Sequence, residues 1–258
     1  MTIHTNGTAL RVLVKGVRLP PLLEAPGFEL EARDGGLDVR GTAAPEQVLR
    51  LLARRWDVDG SAGDRIEVRI ETSGGRDEYV YTADMAHRLM FRREWGRSGR
   101  RAVLYGLNPI VGDTEGPVEK VPGRATLRNV VGILSKEGPL ARLDVMNLFT
   151  FRSPDAATLP ARPADRVAVP ELERQVLSEA DVVLLAWGSK VEGRHRRHVE
   201  DFLDRLHEVG STPWMLARDG KLLTAGSPPQ PAHPSRLGWR RVDAVPVDRD
   251  TVLSGHRG

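Results

Sequence analysis

The chain has 258 residues, 40% of them apolar, and a formal net charge of +3. That length allows one large domain or two smaller ones, and the apolar content suffices for a buried core and excludes wholesale disorder. The absence of cysteine removes disulfide frameworks, thiolate metal sites and a cysteine nucleophile.

No stretch approaches the ~20 consecutive apolar residues that span a bilayer, and the N-terminus lacks the order of a signal peptide. A soluble, cytoplasmic chain with no membrane partner is therefore expected. Charge is uneven: residues 1–90 hold 12 Lys and Arg against 14 Asp and Glu, and the remainder hold 26 against 21. Thirty-three of the 38 basic residues are Arg. Arginine forks suit phosphates and carboxylates, although Arg-rich usage also follows from a high-GC genome.

In chain order, residues 1–90 read as a small α+β module. Ala9–Val17, Phe28–Arg33 and Leu37–Arg40 have strand character, the last two joined by the turn-forming Asp34-Gly35-Gly36. Ala44–Trp56 places Val48, Leu51, Leu52 and Trp56 near one helical face. Ile66, Val68 and Ile70 alternate with Glu67, Arg69 and Glu71, giving a strand with one dry and one wet face. Nothing in this module assembles a catalytic set, and packing or docking of a protein partner is its expected role.

Residues 91–258 change pattern to short apolar runs separated by helical stretches. The runs are Ala102–Leu107, Leu143–Phe149, Val182–Trp187 and Pro213–Ala217, and their unbroken apolar character predicts parallel strands buried on both faces. Thr126–Lys136, Pro170–Ala180 and Gly193–Val209 read as helices between them. The alternation predicts a three-layer α/β domain around a central parallel four-stranded sheet.

Ligands of open parallel sheets bind beyond the carboxyl ends of the strands. That rule selects Gly106, Asn108 and Pro109 after the first run, Asn147 and Arg152 in and after the second, Trp187 and Gly188 after the third, and His233 and Ser235 in the proline-rich loop after the fourth. Each has a plainer alternative. Asn108-Pro109 fits a turn, Trp187 fits a core and His233 fits a surface loop. Asn147 is different, because a carboxamide inside a buried run must be hydrogen-bonded or costs roughly 1–3 kcal/mol.

Phosphate-loop, dinucleotide, nucleophile-elbow and zinc-protease motifs are all absent. His195 and His198 have a metal-compatible spacing, but Arg194, Arg196 and Arg197 beside them would repel a cation, so neither a metal nor another cofactor is expected. That run, like Arg92-Arg93 and the stretch from Arg97 to Arg101, suits either phosphate contact or a solvated basic face.

The segment from Tyr81 to Arg241 resembles the bacterial domain-of-unknown-function family 1643 (DUF1643). The residues carrying the resemblance are Leu107-Asn108-Pro109, Thr126-Leu127-Arg128, Met146-Asn147-Leu148-Phe149-Thr150-Phe151-Arg152, Ala186-Trp187-Gly188, Gly193-Arg194 and His233-Pro234. A more distant similarity is to the uracil-DNA glycosylase superfamily, through Gly106-Leu107-Asn108-Pro109, Asn147, Trp187-Gly188-Ser189 and His233-Pro234-Ser235. It implies that Asn108 positions an attacking water, Asn147 reads a base edge and His233 stabilises the leaving base. Departures are Ile110-Val111-Gly112-Asp113 after the first segment and Arg124-Ala125 where an acidic residue and proline are usual.

Asn108 can hold a water but not deprotonate it, and Asp113 is the nearest acidic candidate for a general base. The expected function is thus hydrolysis of an N-glycosidic bond in a nucleobase-containing substrate, DNA or a free nucleotide. Asn108, Asp113 and His233 would form the catalytic set, with Gly106, Pro109, Arg128, Asn147, Arg152, Trp187, Gly188 and Ser235 binding substrate. The alternative is a non-catalytic protein that holds a nucleotide or modified base in the same pocket.

Overall fold

A computed structural model describes residues 3–5, 8–15, 22–25, 28–33, 36–41, 65–72, 75–82, 86–109, 124–152, 170–188, 196–225, 230–234 and 239–254, with only the backbone described for the strands before Gly75. The expected helix over Ala44–Trp56 and the Asp34-Gly35 turn lie outside these residues.

The N-terminal strands are β1 (Ile3–Thr5), β2 (Thr8–Lys15), β3 (Leu22–Ala25), β4 (Phe28–Arg33), β5 (Gly36–Gly41), β6 (Arg65–Thr72), β7 (Gly75–Thr82) and β8 (Arg88–Glu94). There follow β9 (Arg100–Gly106), α1 (Arg124–Leu134), β10 (Leu140–Asn147), α2 (Pro170–Ser178), β11 (Val182–Leu185), α3 (Arg196–Glu208) and β12 (Pro213–Arg218). The described chain ends with the short β13 (Lys221–Leu222), β14 (Thr224–Ala225) and β15 (Gln230–Pro231), then β16 (Asp243–Pro246) and α4 (Arg249–Ser254).

This is a mixed α/β protein built on one mixed sheet, in the order β13-β12-β11-β9-β10-β8-β7-β6-β2-β5-β4-β3. The four apolar runs of the sequence fall on β9 to β12, and β10–β9, β9–β11 and β11–β12 pair in parallel. β8 pairs antiparallel with β10, which carries the N-terminal strands into the same sheet. The expected module boundary after residue 90 falls within β8. Among the described residues no helix is long and apolar enough to cross a membrane.

Helix positions follow from apolar spacing. On α3, Val199, Phe202, Leu203 and Leu206 recur at intervals of three and four and are all buried. They join Val176 and Leu177 of α2, Val252 and Leu253 of α4, and Val103, Tyr105, Val183 and Leu185 of the parallel strands in one core. α2 opens with Pro170, whose missing N–H costs nothing in a first turn. Its inward face also carries Glu173, which accepts a hydrogen bond from the Tyr105 hydroxyl and pairs with Arg205 Nε at 2.6 Å. Burial pulls Arg205 down, but Glu173 and Tyr105 together outweigh it and the guanidinium's pKa rises.

A second buried network lies where β8 meets β10. Asp144 is wholly buried. It accepts a hydrogen bond from Arg92 Nε at 2.6 Å and lies 2.9 Å from Arg142 Nε, whose Nη1 donates to Glu179 at 2.6 Å. Burial opposes the charge on Arg92, yet Asp144 outweighs it and raises the guanidinium's pKa. Arg93 on the other face donates through Nε to Asp77 at 2.6 Å, a bond that raises its pKa despite partial burial. Arg92 and Arg93 are thus bound by carboxylates within the sheet, neither a solvated face nor idle phosphate ligands.

Glycine has a packing role at Gly132. A β-carbon there would lie 2.7 Å from the Trp239 ring, so the indole rests directly on the α1 backbone. Glycine inside a helix costs about 1 kcal/mol relative to alanine, and here that cost admits the ring.

Candidate functional site

The register of the parallel strands brings their carboxyl ends together. Asn147 closes β10 opposite Gly106, which closes β9. The pairing continues past the strands, with Leu148 N–H donating to Gly106 O at 2.9 Å and Phe149 N–H to Leu107 O at 2.8 Å. Ala186 N–H donates to Tyr105 O at 2.9 Å, which holds the end of β11 on the other side of β9.

Gly106 is required at this edge because a β-carbon would stand 2.8 Å from Asn147 Oδ1. The Asn147 carboxamide therefore lies across the end of β9. Its residue is only 8% exposed, yet among the described residues its side chain meets no hydrogen-bonding partner. Its amide atoms are not among the fully buried polar atoms that lack a partner, so the carboxamide is open to an incoming group at the strand edge.

Gly188, two residues beyond Ala186, has φ +73°, a left-handed conformation natural to glycine. A β-carbon on it would lie 3.4 Å from His233 Cβ, so His233 borders the end of β11 on the same edge of the sheet as Asn147. The loop bearing His233 is held from α1, where Asn129 Nδ2 donates to Pro234 O at 2.9 Å. Asn108 follows β9 and donates from Nδ2 to Pro109 O at 3.1 Å, with Pro109 buried. The structure thus brings Gly106, Asn108, Pro109, Asn147, Gly188 and His233 to one edge.

The other expected residues are placed differently. Trp187 is buried in the core, edge-on to Phe202 with centroids 6.3 Å apart. Arg152 turns toward β7, its guanidinium 5.5 Å from the Tyr81 ring centroid, and its N–H donates to Ala86 O at 3.0 Å. Arg128 is exposed on α1 and lines a separate groove. Asp113, Ser235, Arg194 and His195 lie outside the described residues. The first turn of α3 brings His198 edge-on to Phe149 at 5.2 Å, while Arg196 is occupied by Glu200 at 2.7 Å and Arg197 is exposed.

Sequence reasoning missed that separate groove. Trp95 and Trp239 line it with Arg93 and Arg128. The available signal was local: Trp95 follows Arg92-Arg93-Glu94 and Trp239 precedes Arg240-Arg241, so each indole stands beside a pair of arginines.

Fold and site together define a mixed α/β protein whose polar residues gather at the carboxyl edge of its parallel strands. The chain belongs to the DUF1643 family, described as a protein of unknown function, whose family model matches residues 88–235. The match begins at the first residue of β8 and ends just past His233-Pro234. No curated protein and no solved structure matches the chain.

Proposed function

We propose that the protein hydrolyses N-glycosidic bonds in a nucleobase-containing substrate, a DNA base or a free nucleotide, and that its parallel strands form a uracil-glycosylase-like layer with helices on both faces. The observation carrying the reading is the buried Asn147 carboxamide, which lacks a partner among the described residues and shares its sheet edge with His233. A carboxamide presents a donor and an acceptor side by side and so matches the amide or imide edge of a base.

In this reading a water held by Asn108 attacks the anomeric carbon of the sugar as the bond to the base nitrogen breaks. The bonding electrons leave with the base, and a neutral His233 donates a hydrogen bond to the base carbonyl on which negative charge develops. The proton lost by the water goes to a carboxylate, the role assigned to Asp113. Arg152 and Trp187, turned toward Tyr81 and the core, support the walls rather than contact the base.

Base release from duplex, single-stranded and free nucleosides carrying uracil, hypoxanthine or modified bases, read by chromatography, tests the proposal. Release of one class of base is expected. His233→Ala should lower turnover about 10²–10³-fold, equivalent to about 3–4 kcal/mol, because a preorganised donor acts most strongly where charge develops. Binding should survive that substitution and weaken instead in Asn147→Ala. Absence of release from every substrate, with binding retained, would leave a protein that holds a base without cleaving it.

A further inference from the structure

We propose that the groove between Trp95 and Trp239 is a second binding site, for a nucleotide whose base stacks on the indoles and whose phosphate meets Arg128. The groove encloses about 670 Å³, within the range of pockets that hold small ligands, and its floor is Leu127, Val131 and Gly132 of α1. It is distinct from the strand-end site, and the inference stands whether or not His233 acts on a glycosidic bond.

Three observations converge on this ligand. First, Trp95 is 36% exposed, and among the described residues only Leu222 is another large apolar side chain as open. Its backbone is nevertheless fixed, because Trp95 N–H donates to Ala141 O at 2.9 Å. An indole on a fixed backbone and open to water offers a stacking surface to an occupant. Second, Trp239 is held against the α1 backbone at Gly132, so the far wall of the groove is also a positioned aromatic ring.

Third, the charge around the rings is positive. Arg128 is exposed and has no acidic partner among the described residues. Arg93 is already paired with Asp77 at 2.6 Å, and the Arg240 guanidinium sits 5.8 Å from the Trp239 ring centroid. The nearby acids Asp243 and Glu137 are engaged by Lys136 at 2.8 Å and Arg100 at 2.9 Å. Flat aromatic surface beside an uncommitted guanidinium selects a ligand in which a planar ring is joined to phosphate. A purely apolar occupant would leave Arg128 unanswered, and a bare anion would leave the indoles bare.

The shared chemistry is that of a nucleotide, either free or within a single strand, and the two sources are separable. Adenosine 5′-monophosphate, adenosine, inorganic phosphate and a twelve-residue single-stranded oligodeoxyadenylate are titrated into the full chain, with tryptophan fluorescence as the readout. The monophosphate should quench saturably, and adenosine or phosphate alone should bind at least about tenfold more weakly. Trp95→Ala and Arg128→Ala should each weaken binding by roughly ten- to a hundredfold, the range for one stacked base or one phosphate contact. The Trp95-dependent part of the quenching should be the same in Asn147→Ala, whatever that substitution does to binding at the strand-end site.

A strand as the natural ligand is indicated by tighter binding of the oligonucleotide and a steeper fall of its affinity with salt, near −0.7 in log–log slope per phosphate contacted. Equal affinity per site and a shallow salt response indicate the free nucleotide. Should Trp95→Ala fail to fold, Arg128→Ala carries the same test from an exposed position. Absence of saturable quenching by both the monophosphate and the oligonucleotide overturns the proposal. So does quenching that is unchanged in both Trp95→Ala and Arg128→Ala, or Trp95-dependent quenching that disappears in Asn147→Ala.

Discussion

Asp144 and Asn147 lie three residues apart on β10, both buried, on opposite faces of the sheet. Arg92 and Arg142 surround the Asp144 carboxylate, and Glu179 completes the network. The Asn147 carboxamide, by contrast, stretches over Gly106 and finds no partner among the described residues. One polar group has been answered from within the chain and the other has been kept open. A buried polar side chain thus reports function less by its burial than by what the surrounding chain withholds from it.

The strongest way to break this contrast is to remove Asp144. Asp144→Asn removes the carboxylate shared by Arg92 and Arg142, which keep only Glu78 and Glu179, and should cost about 3 kcal/mol in denaturant unfolding. Asn147→Ala should cost less than about 1 kcal/mol in the same measurement, because no protein hydrogen bond is lost. Equal losses at the two positions would mean that Asn147 is scaffold, as Asp144 is.

A finer test crowds Asn147 without replacing it. Gly106→Ala places a methyl group where Oδ1 now lies and should turn the carboxamide aside. Stability should change little, while affinity for the released base should fall about ten- to a hundredfold, the worth of two hydrogen bonds at roughly 0.5–1.5 kcal/mol each. Unchanged affinity would show that the carboxamide need not lie over β9 to bind.

The smallest effect is expected at the rim of the Asp144 network, where Glu179 is a third exposed. The hydrogen bond from Arg142 holds Glu179 below its ordinary pKa in the folded protein, against the opposing effect of burial. A depressed carboxyl stabilises the fold above its unfolded pKa and loses that contribution as pH falls through the folded value. Glu179→Gln should therefore be less stable than the parent at pH 7 by under about 1 kcal/mol, because a third of the Glu179 side chain faces solvent. The difference should vanish on acidification from about pH 4.5 downward. A gap that persists at pH 2 would assign the loss to packing.

The same contrast explains what could be read from the sequence. β9, β11 and β12 were legible because their inward residues are apolar, β10 because Leu143, Val145, Met146, Leu148 and Phe149 hold its pattern around Asp144 and Asn147, and β4 because its bounds coincide with the Phe28–Arg33 pattern. β7 and β8 were not, since Asp77, Glu78, Arg92 and Arg93 occupy positions where apolar periodicity looks for Val or Ile. Their charges cancel only across strands that sequence alone does not juxtapose. At the site, the strand-end rule located Asn108, Asn147 and His233 on one edge. It could not foresee that Arg152 would turn to Tyr81 or that Arg128 would face the tryptophan groove, because both depend on side-chain direction rather than position along an element.

The place of β10 between β8 and β9 has a consequence during synthesis. β8 and β9 leave the ribosome consecutively, yet they are not neighbours, and each presents an open edge until β10 arrives to pair with both. Residues 95–139 must be made in the interval, which at ~5–20 residues per second lasts about 2–10 s. An open edge invites pairing with another nascent chain, and charges carried in the middle of a strand are a recognised deterrent. Arg92 keeps only a 3.8 Å ion pair with Glu78 of β7 during the wait, and its close carboxylate partner arrives when Asp144 emerges on the strand that belongs beside it.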